Sequence, residues 1–185
     1  MKSVIVNQLI TAIRDDDWPA VKAIVPKIAS SLTGKPSAKI AAEFHSLLIE
    51  KGHRIREQIL DDGLLLDALR ILLPAYVGPS ITLYRGENTG RWKDGACGFA
   101  WTSNADIARM FARGLNGFHA EGGLLLSTDA PAHAIITGPN EHSRSIGEDE
   151  YIVDKRKLVK ITIVECFPID RPSYELGVPY PRSQG

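Results

Sequence analysis

The sequence predicts an α+β protein in which a helical lobe precedes a sheet-rich core. Over residues 1–76, apolar side chains recur at the three- and four-residue spacing of helices. From residue 77 the pattern changes to short β-rich runs separated by glycine and polar residues, with one helix among them. Helices followed by strands are typical of α+β folds, whereas a doubly wound parallel sheet alternates the two.

Composition limits the class of protein further. The 185 residues suffice for one compact domain, and the formal net charge of zero removes the broad positive field that most nucleic-acid-binding proteins use. Cys97 and Cys166 lie too far apart to indicate a disulfide framework or a zinc site. Neither a signal peptide nor a run of membrane-spanning length is evident. We expect a cytoplasmic monomer without membrane or nucleic-acid partners, unless a specialised secretion system or a phage delivers it elsewhere.

Apolar stripes and a capping signal predict the first two helices. In the first, apolar residues recur at i, i+3, i+4 and i+7, namely Val6, Leu9, Ile10 and Ile13. Asp17 is a candidate N-cap for the second, because proline follows in the first turn. Its stripe comprises Val21, Ile24, Val25, Ile28 and Leu32. Pro26 lies within that helix, so we expect a kink or a split there.

Two further helical segments are predicted before residue 77. Gly34-Lys35-Pro36-Ser37 provides a break and a new cap. The apolar face that follows ends at Gly52 and comprises Ile40, Ala41, Phe44, Leu47 and Leu48. Residues 53–73 are predicted to be helical again, with Gly63 as a joint between two pieces and Pro74 as the end.

After residue 77 the sequence predicts six short strands and one helix. The strands are β-rich or alternating runs bounded by turn residues, at 81–84, 99–103, 124–127, 134–136, 151–153 and 158–164. Asn104 caps the helix, whose Ile107, Ala108 and Phe111 should face the core. Glycine-rich or polar loops are expected at 86–98, 114–123 and 137–147, and an extended tail at 168–185.

Two glutamates, Glu148 and Glu150, stand out directly before the apolar run Tyr151-Ile152-Val153. Side chains two residues apart on an extended chain point the same way, so both carboxylates are expected at one place at the mouth of a strand. By themselves these residues also fit an acidic turn that caps a sheet edge.

Two other segments are candidate parts of a site. Arg85 ends the first strand with Gly86 after it, so its planar guanidinium could meet a phosphate or carboxylate, and glycine would let a ligand approach the backbone. Thr102 and Ser103 place hydroxyls on a strand that leads into the helix capped by Asn104. A surface ion pair and an ordinary helix cap are the simpler interpretations of these segments.

The order of these three features resembles the mono-ADP-ribosyltransferase family, and more closely its Arg–Ser–Glu branch, which includes arginine-modifying bacterial toxins. The similarity covers residues 81–165, through Leu83-Tyr84-Arg85-Gly86, Ala108-x-x-Phe111-Ala112 and Glu148-Asp149-Glu150-Tyr151-Ile152-Val153-Asp154. It implies a mixed, mostly antiparallel split β-sheet core of the ADP-ribosyltransferase type at 77–167. A helical lobe such as residues 1–76 is common ahead of the first strand in that family.

The resemblance implies NAD as the donor substrate, and no G-x-G-x-x-G fingerprint of a Rossmann site follows a predicted strand. Arg85 would hold the phosphate or ribose of NAD, and the Gly86 backbone would bond the nicotinamide amide. Phe118 is the candidate for an aromatic side chain stacked on nicotinamide, because Phe111 is assigned to the core.

The same resemblance gives the two acids different roles. Glu150 would bind the nicotinamide ribose hydroxyl and stabilise a cationic sugar, as carboxylates do in glycoside hydrolysis. Glu148 would position and deprotonate the nucleophile, and a glutamate there goes with arginine acceptors in the family. Thr102 and Ser103 would brace the catalytic acid. This chain has Trp101 where the family's strand commonly begins with serine. Either Thr102 or Ser103 takes over that bracing role, or the site is altered and turnover is weaker.

Three alternatives remain open at this point. Two keep the fold: an NAD glycohydrolase that uses water as acceptor, and a catalytically inactive module that binds NAD or a protein. The third, metal-dependent hydrolysis with acids and His119, His133 or His142, lacks support because no i, i+4 or H-x-H spacing links these histidines. We therefore expect no metal, and interpret His45 and His53 as structural. A protein acceptor of unknown identity would be recognised by the polar loop at 138–147.

Overall fold

The computed structural model describes residues 2–30, 34–114 and 121–168, and its helices and strands confirm the predicted α+β class. The helices are α1 (Lys2–Arg14), α2 (Trp18–Ala29), α3 (Ala38–Ile59), α4 (Asp62–Leu72), α5 (Thr89–Lys93), α6 (Ala105–Arg113) and α7 (Glu141–Ser145). The strands are β1 (Ile81–Asn88), β2 (Ala100–Thr102), β3 (Gly123–Ala130), β4 (Ile135–Thr137), β5 (Glu150–Val153) and β6 (Thr162–Phe167). Short 3₁₀ helices occupy Ala132–Ala134 and Lys155–Lys157. Beyond Pro168, the predicted extended tail lies outside the described residues.

The first two helices form as the apolar pattern predicts. The predicted face of α1 is buried at Val6, Leu9, Ile10 and Ile13. Asp17 caps α2 by accepting a hydrogen bond from the backbone N–H of Ala20 at 3.1 Å. The helix continues through Pro26, so the proline does not split it. Of its predicted stripe, Leu32 lies outside the described residues.

The boundary between α3 and α4 differs from the prediction. One helix of 22 residues runs through Gly52, because an interior glycine costs a helix only about 1 kcal/mol. The chain turns instead at Leu60, whose φ of 57° is left-handed. Asp61 then caps α4 by accepting a hydrogen bond from a first-turn N–H at 2.9 Å. Gly63 therefore lies in the first turn of α4 and is not a joint.

The six strands form one sheet in the order β4-β5-β2-β1-β3-β6. Every pairing between described strands is antiparallel, where a mixed, mostly antiparallel sheet was expected. A single residue pair, Tyr84 with Thr102, joins the half β4-β5-β2 to the half β1-β3-β6. The sheet is therefore divided by a thin seam between two of the segments that stood out in the sequence.

Several strands have other bounds than the sequence pattern predicts. β1 extends past 81–84 to Asn88 because it pairs with β3 along its whole length. The expected glycine-rich loop at 86–98 is consequently strand at its start and contains α5. The last strand begins at Thr162 and not at residue 158, since Asp154 caps a 3₁₀ helix through the Arg156 N–H. The polar loop at 137–147 contains α7.

The helical lobe is fastened to the sheet by a shared core and by ion pairs. Buried residues of α1–α4 pack with three residues of the sheet region, Phe99, Ile136 and Ile152. Arg56 of α3 donates twice to Asp62 at 2.6 Å, and Lys155 reaches the same carboxylate at 2.7 Å. Burial alone would raise the pKa of Asp62, but these two cations outweigh it and lower the pKa to about 2. Arg70 of α4 likewise pairs with the buried Asp154 at 3.1 Å.

No helix in the described ranges has both the length and the apolar composition needed to cross a membrane.

Candidate active site

A cavity of about 340 Å³ opens at the seam between the two halves of the sheet, beside α6. Five residues that the sequence singled out line it: Arg85, Gly86, Thr102, Glu148 and Glu150. The strand register explains why they meet. Tyr84 pairs with Thr102 across β1 and β2, and Thr102 pairs with Glu150 across β2 and β5. Three segments that are distant in sequence thus become neighbours.

Arg85 is held in place by a carboxylate that the sequence reading missed. Its Nε donates to Oε2 of the fully buried Glu87 at 2.8 Å, and its Nη1 donates to the carbonyl of Ala100. The backbone N–H of Gly98 donates to the same Oε2 at 2.7 Å, and that of Asn88 to Oε1 at 2.9 Å. The guanidinium therefore has little freedom to turn away from the cavity.

The charge interaction between Arg85 and Glu87 also favours this position of the guanidinium. Burial by itself would raise the pKa of the Glu87 carboxyl, but the charge of Arg85 and the backbone donors lower it to about 2. Gly98 has no room for a side chain, because a Cβ there would fall on the guanidinium of Arg85. The spacing of Arg85 and Glu87 along one strand is a signal that could have revealed the pair, since alternate strand residues share a face. The contribution of Gly98, which is distant in sequence, could not be read in this way.

The pKa of the Glu150 carboxyl is raised towards neutrality. Burial and the neighbouring charge of Glu148 raise its pKa from 4.5 to about 7, against the opposing charge of Arg85. A carboxyl with its pKa near neutrality can change protonation state at little cost, and such groups cluster at functional sites.

The two glutamates reach the cavity through a turn. Gly147 and Asp149 have left-handed φ angles of 77° and 45°, and β5 begins only at Glu150. The backbone N–H groups of Glu148 and Asp149 both point to the carbonyl of Ser143, at 2.9 and 3.4 Å. The expectation of an extended Glu-Asp-Glu segment is therefore wrong, although both carboxylates line the same cavity. A left-handed aspartate is uncommon and indicates a constrained loop.

Thr102 and Ser103 are placed differently. Thr102 is buried directly across from Glu150, and its Oγ1 accepts a hydrogen bond from the backbone N–H of Asn104 at 3.2 Å. Ser103 is exposed and is not part of the cavity wall. Trp101 borders the cavity, but its side chain packs in the core on the other face of the strand, as alternation requires. Thr102 is thus the hydroxyl beside the acid.

Gly86 is required by packing between β1 and α6. A Cβ at this position would strike the carbonyl of Ala108 and the backbone nitrogen of Ala112. Both alanines are buried, so α6 lies directly against the strand. The absence of a side chain therefore brings the helix close to the strand, which differs from the expected close approach of a ligand.

Two residues that the sequence assigned to structure lie at the cavity. Phe111 lines it and is only partly buried, so its assignment to the core is wrong. The reason is that Ala108 and Ala112 occupy the contact between α6 and β1, which leaves Phe111 beside them at the cleft. His53 of α3 is exposed and also lines the cavity. Helical periodicity identifies a face but not what lies opposite it.

The other candidate residues add no described part to the cavity wall. Phe118 and His119 lie outside the described residues. Burial lowers the pKa of His45 to about 4, so this histidine is neutral. Burial raises the pKa of the Cys97 thiol to about 11, so this thiol is not a ready nucleophile. Within the described ranges, no group of three or more His, Cys, Asp or Glu side chains is arranged to hold a metal ion.

Comparisons with protein-family models, with curated proteins and with solved structures found no match for this chain. The resemblance to mono-ADP-ribosyltransferases therefore stays a prediction from the sequence.

Proposed function

We propose that this protein is an NAD-dependent mono-ADP-ribosyltransferase that acts in a cytosol and transfers ADP-ribose to a protein side chain, with arginine as the first acceptor to test. The observation that carries the proposal is one cavity lined by Arg85 and by two glutamates, in which the Glu150 carboxyl has a pKa of about 7.

The cavity has the size of a small-molecule site, and its two carboxylates suit the cationic end of the donor. Its volume of about 340 Å³ lies in the range of small-molecule sites, which is roughly 300–1,000 Å³. NAD supplies the glycosidic bond to be broken and a cationic nicotinamide as leaving group. A cation next to Glu150 lowers the pKa of its carboxyl, so donor binding favours the ionised form. Arg85, fixed by Glu87, offers its guanidinium to the phosphate or ribose.

The positions of the two acids support different roles for them in this proposal. Glu150 stabilises the positive charge that develops on the ribose, because a fixed carboxylate in a partly desolvated site interacts strongly with such charge. Glu148 precedes the strand on a constrained turn and is only partly buried, so it is accessible to an incoming acceptor. Arginine keeps its proton until attack because its pKa exceeds 12, and Glu148 accepts that proton as the new bond forms.

The partial exposure of Glu148 also favours a second candidate, an NAD glycohydrolase, because water can reach the same carboxylate. The two functions differ only in the acceptor.

The deciding experiment incubates the protein with NAD labelled in the adenosine moiety, with and without a cell lysate, and follows nicotinamide release and labelled protein. Transfer predicts labelled protein and faster nicotinamide release with lysate than without. Undiminished NAD loss without lysate, together with unlabelled protein, would replace the transferase by the glycohydrolase. NAD that stays intact under all conditions would contradict both the transferase and the glycohydrolase.

A further inference from the structure

A second cavity of about 200 Å³ adjoins the first on the side of the helical lobe. Four residues line both cavities, namely His53, Arg85, Ala100 and Glu150. The two spaces therefore meet at these residues. Three of the four belong to the sheet region, whereas His53 is contributed by α3 of the helical lobe.

The position of His53 is fixed by an anchor one helical turn further along α3. Arg56 lies three residues after it, a spacing that puts both side chains on one side of the helix. The guanidinium of Arg56 binds Asp62 and donates to the carbonyl of Ala96 at 2.8 Å. It also lies 5.9 Å from the ring centroid of Phe99. The anchor holds α3 against the loop that leads into β2, and with it His53 at the junction.

The imidazole of His53 is available to a ligand. The side chain is exposed, and it forms no hydrogen bond or ion pair with any described residue. A neutral imidazole carries one donor and one acceptor, which suits a ribose hydroxyl or, through its N–H, a phosphate oxygen. By contrast, His45 is buried, and His142 lies 3.6 Å from Glu50.

The two cavities differ in charge. Arg85 and Glu150 line both cavities. Glu148 adds a second carboxylate to the first, whereas Arg56 and Arg91 add two guanidinium groups to the second, which is thus lined by three arginines. Arg91 is the least committed of the three: its side chain is 47% exposed, and its Nε is 3.8 Å from Glu87. A ligand with a cationic end and an anionic end therefore fits the pair of cavities in one direction.

We propose that the two cavities form one site for the donor nucleotide and that His53 contacts this nucleotide at their junction, between the cationic nicotinamide in the first cavity and the phosphates in the second. The inference rests on the proposed function, because it takes NAD as the ligand. It assigns the helical lobe a direct part in donor binding, which its sequence does not reveal.

The test compares His53→Ala and His53→Gln with the wild-type protein and with His133→Ala, a matched control that removes an exposed histidine from outside both cavities. Binding of ADP-ribose, which is not cleaved, is measured by calorimetry, and KM and kcat are measured with NAD. Loss of one hydrogen bond to the ligand should weaken ADP-ribose binding about tenfold and raise KM with little change in kcat. Glutamine should restore part of the affinity because its amide can donate and accept.

The outcomes separate the two proposals. Equal affinities for wild-type and His53→Ala protein, in a chain that does consume NAD, would overturn the role of His53 and leave the proposed function intact. Equal losses in His53→Ala and His133→Ala would overturn it too, because the effect would not depend on the junction. A wild-type chain that neither binds ADP-ribose nor consumes NAD would overturn both.

Discussion

Replacing Glu150 with glutamine should stabilise the folded protein above neutral pH while it abolishes NAD cleavage. The amide has the shape of the protonated carboxyl but cannot ionise, so it removes the cost of keeping a charge in a partly desolvated site beside Glu148. The raised pKa, from 4.5 to about 7, corresponds to about 3 kcal/mol of lost stability once the carboxyl is ionised in both states.

The sign of this effect depends on pH. Below about pH 4 the Glu150 carboxyl is protonated in folded and unfolded chains alike, so it imposes no such cost. Between the two pKa values the unfolded chain releases the proton and the folded chain retains it, so wild-type stability falls as the pH rises. Above about pH 8 the full cost remains. The advantage of Glu150→Gln should therefore grow from near zero at pH 4 to about 3 kcal/mol at pH 8.

Urea unfolding followed by circular dichroism at pH 4, 5, 6, 7 and 8 measures this difference. Titrating groups that do not interact with Glu150 are common to both proteins and cancel in the comparison. Glu57→Gln, at an exposed position on α3, is the matched control and should show no comparable trend. A stability difference that stays constant over this pH range would refute the claim that Glu150 is held in a desolvated, charge-opposed position.

Three further substitutions test the parts around Glu150. Glu87→Gln leaves the guanidinium of Arg85 without its buried carboxylate, which should cost about 3–5 kcal/mol in urea unfolding. Gly86→Ala forces a Cβ into the backbone of α6 and should cost about 1–3 kcal/mol, read from thermal unfolding. Glu148→Gln removes a charge that raises the Glu150 pKa, so the pH profile of nicotinamide release should move to lower pH, while labelling of protein falls.

Each of these substitutions has a result that would contradict the reasoning, and Gly86→Ala also has a matched control. Gly138→Ala places its Cβ 3.4 Å from the ring of Tyr76, an ordinary contact, and should change stability little. Equal effects of the two glycine substitutions would contradict the packing of α6 on β1. A Glu87→Gln protein as stable as wild type would contradict the anchoring of Arg85. An unmoved pH profile in Glu148→Gln would contradict the charge coupling between the two glutamates.

The parts of the fold that the sequence predicted depend on local patterns. The buried face of α1 and the cap Asp17 follow from residues within one or two helical turns of each other. The errors arise where a distant partner extends an element or where a single residue is taken as a stop signal that the helix does not obey. β1 extends to Asn88 because β3 pairs with it, and α3 passes Gly52 because the turn at Leu60 and Asp61 ends it later.

The candidate site likewise contains residues that the sequence predicted and residues that it did not. Arg85, Thr102 and the two glutamates were selected by residue type and order, and they line one cavity. Phe111 and His53 were missed because their importance depends on what lies opposite their helices. Glu87, the buried partner of Arg85, could have been predicted from the sequence, because alternate residues of a strand lie on the same face.

The most direct test of the central claim is nicotinamide release from NAD by the wild-type and Glu150→Gln proteins, with binding of ADP-ribose measured on both. The account predicts release by the wild-type protein, a loss of at least about a hundredfold in Glu150→Gln, and retained ADP-ribose binding in both. Equal release by the two proteins, or none by the wild-type protein with a lysate present, would contradict it.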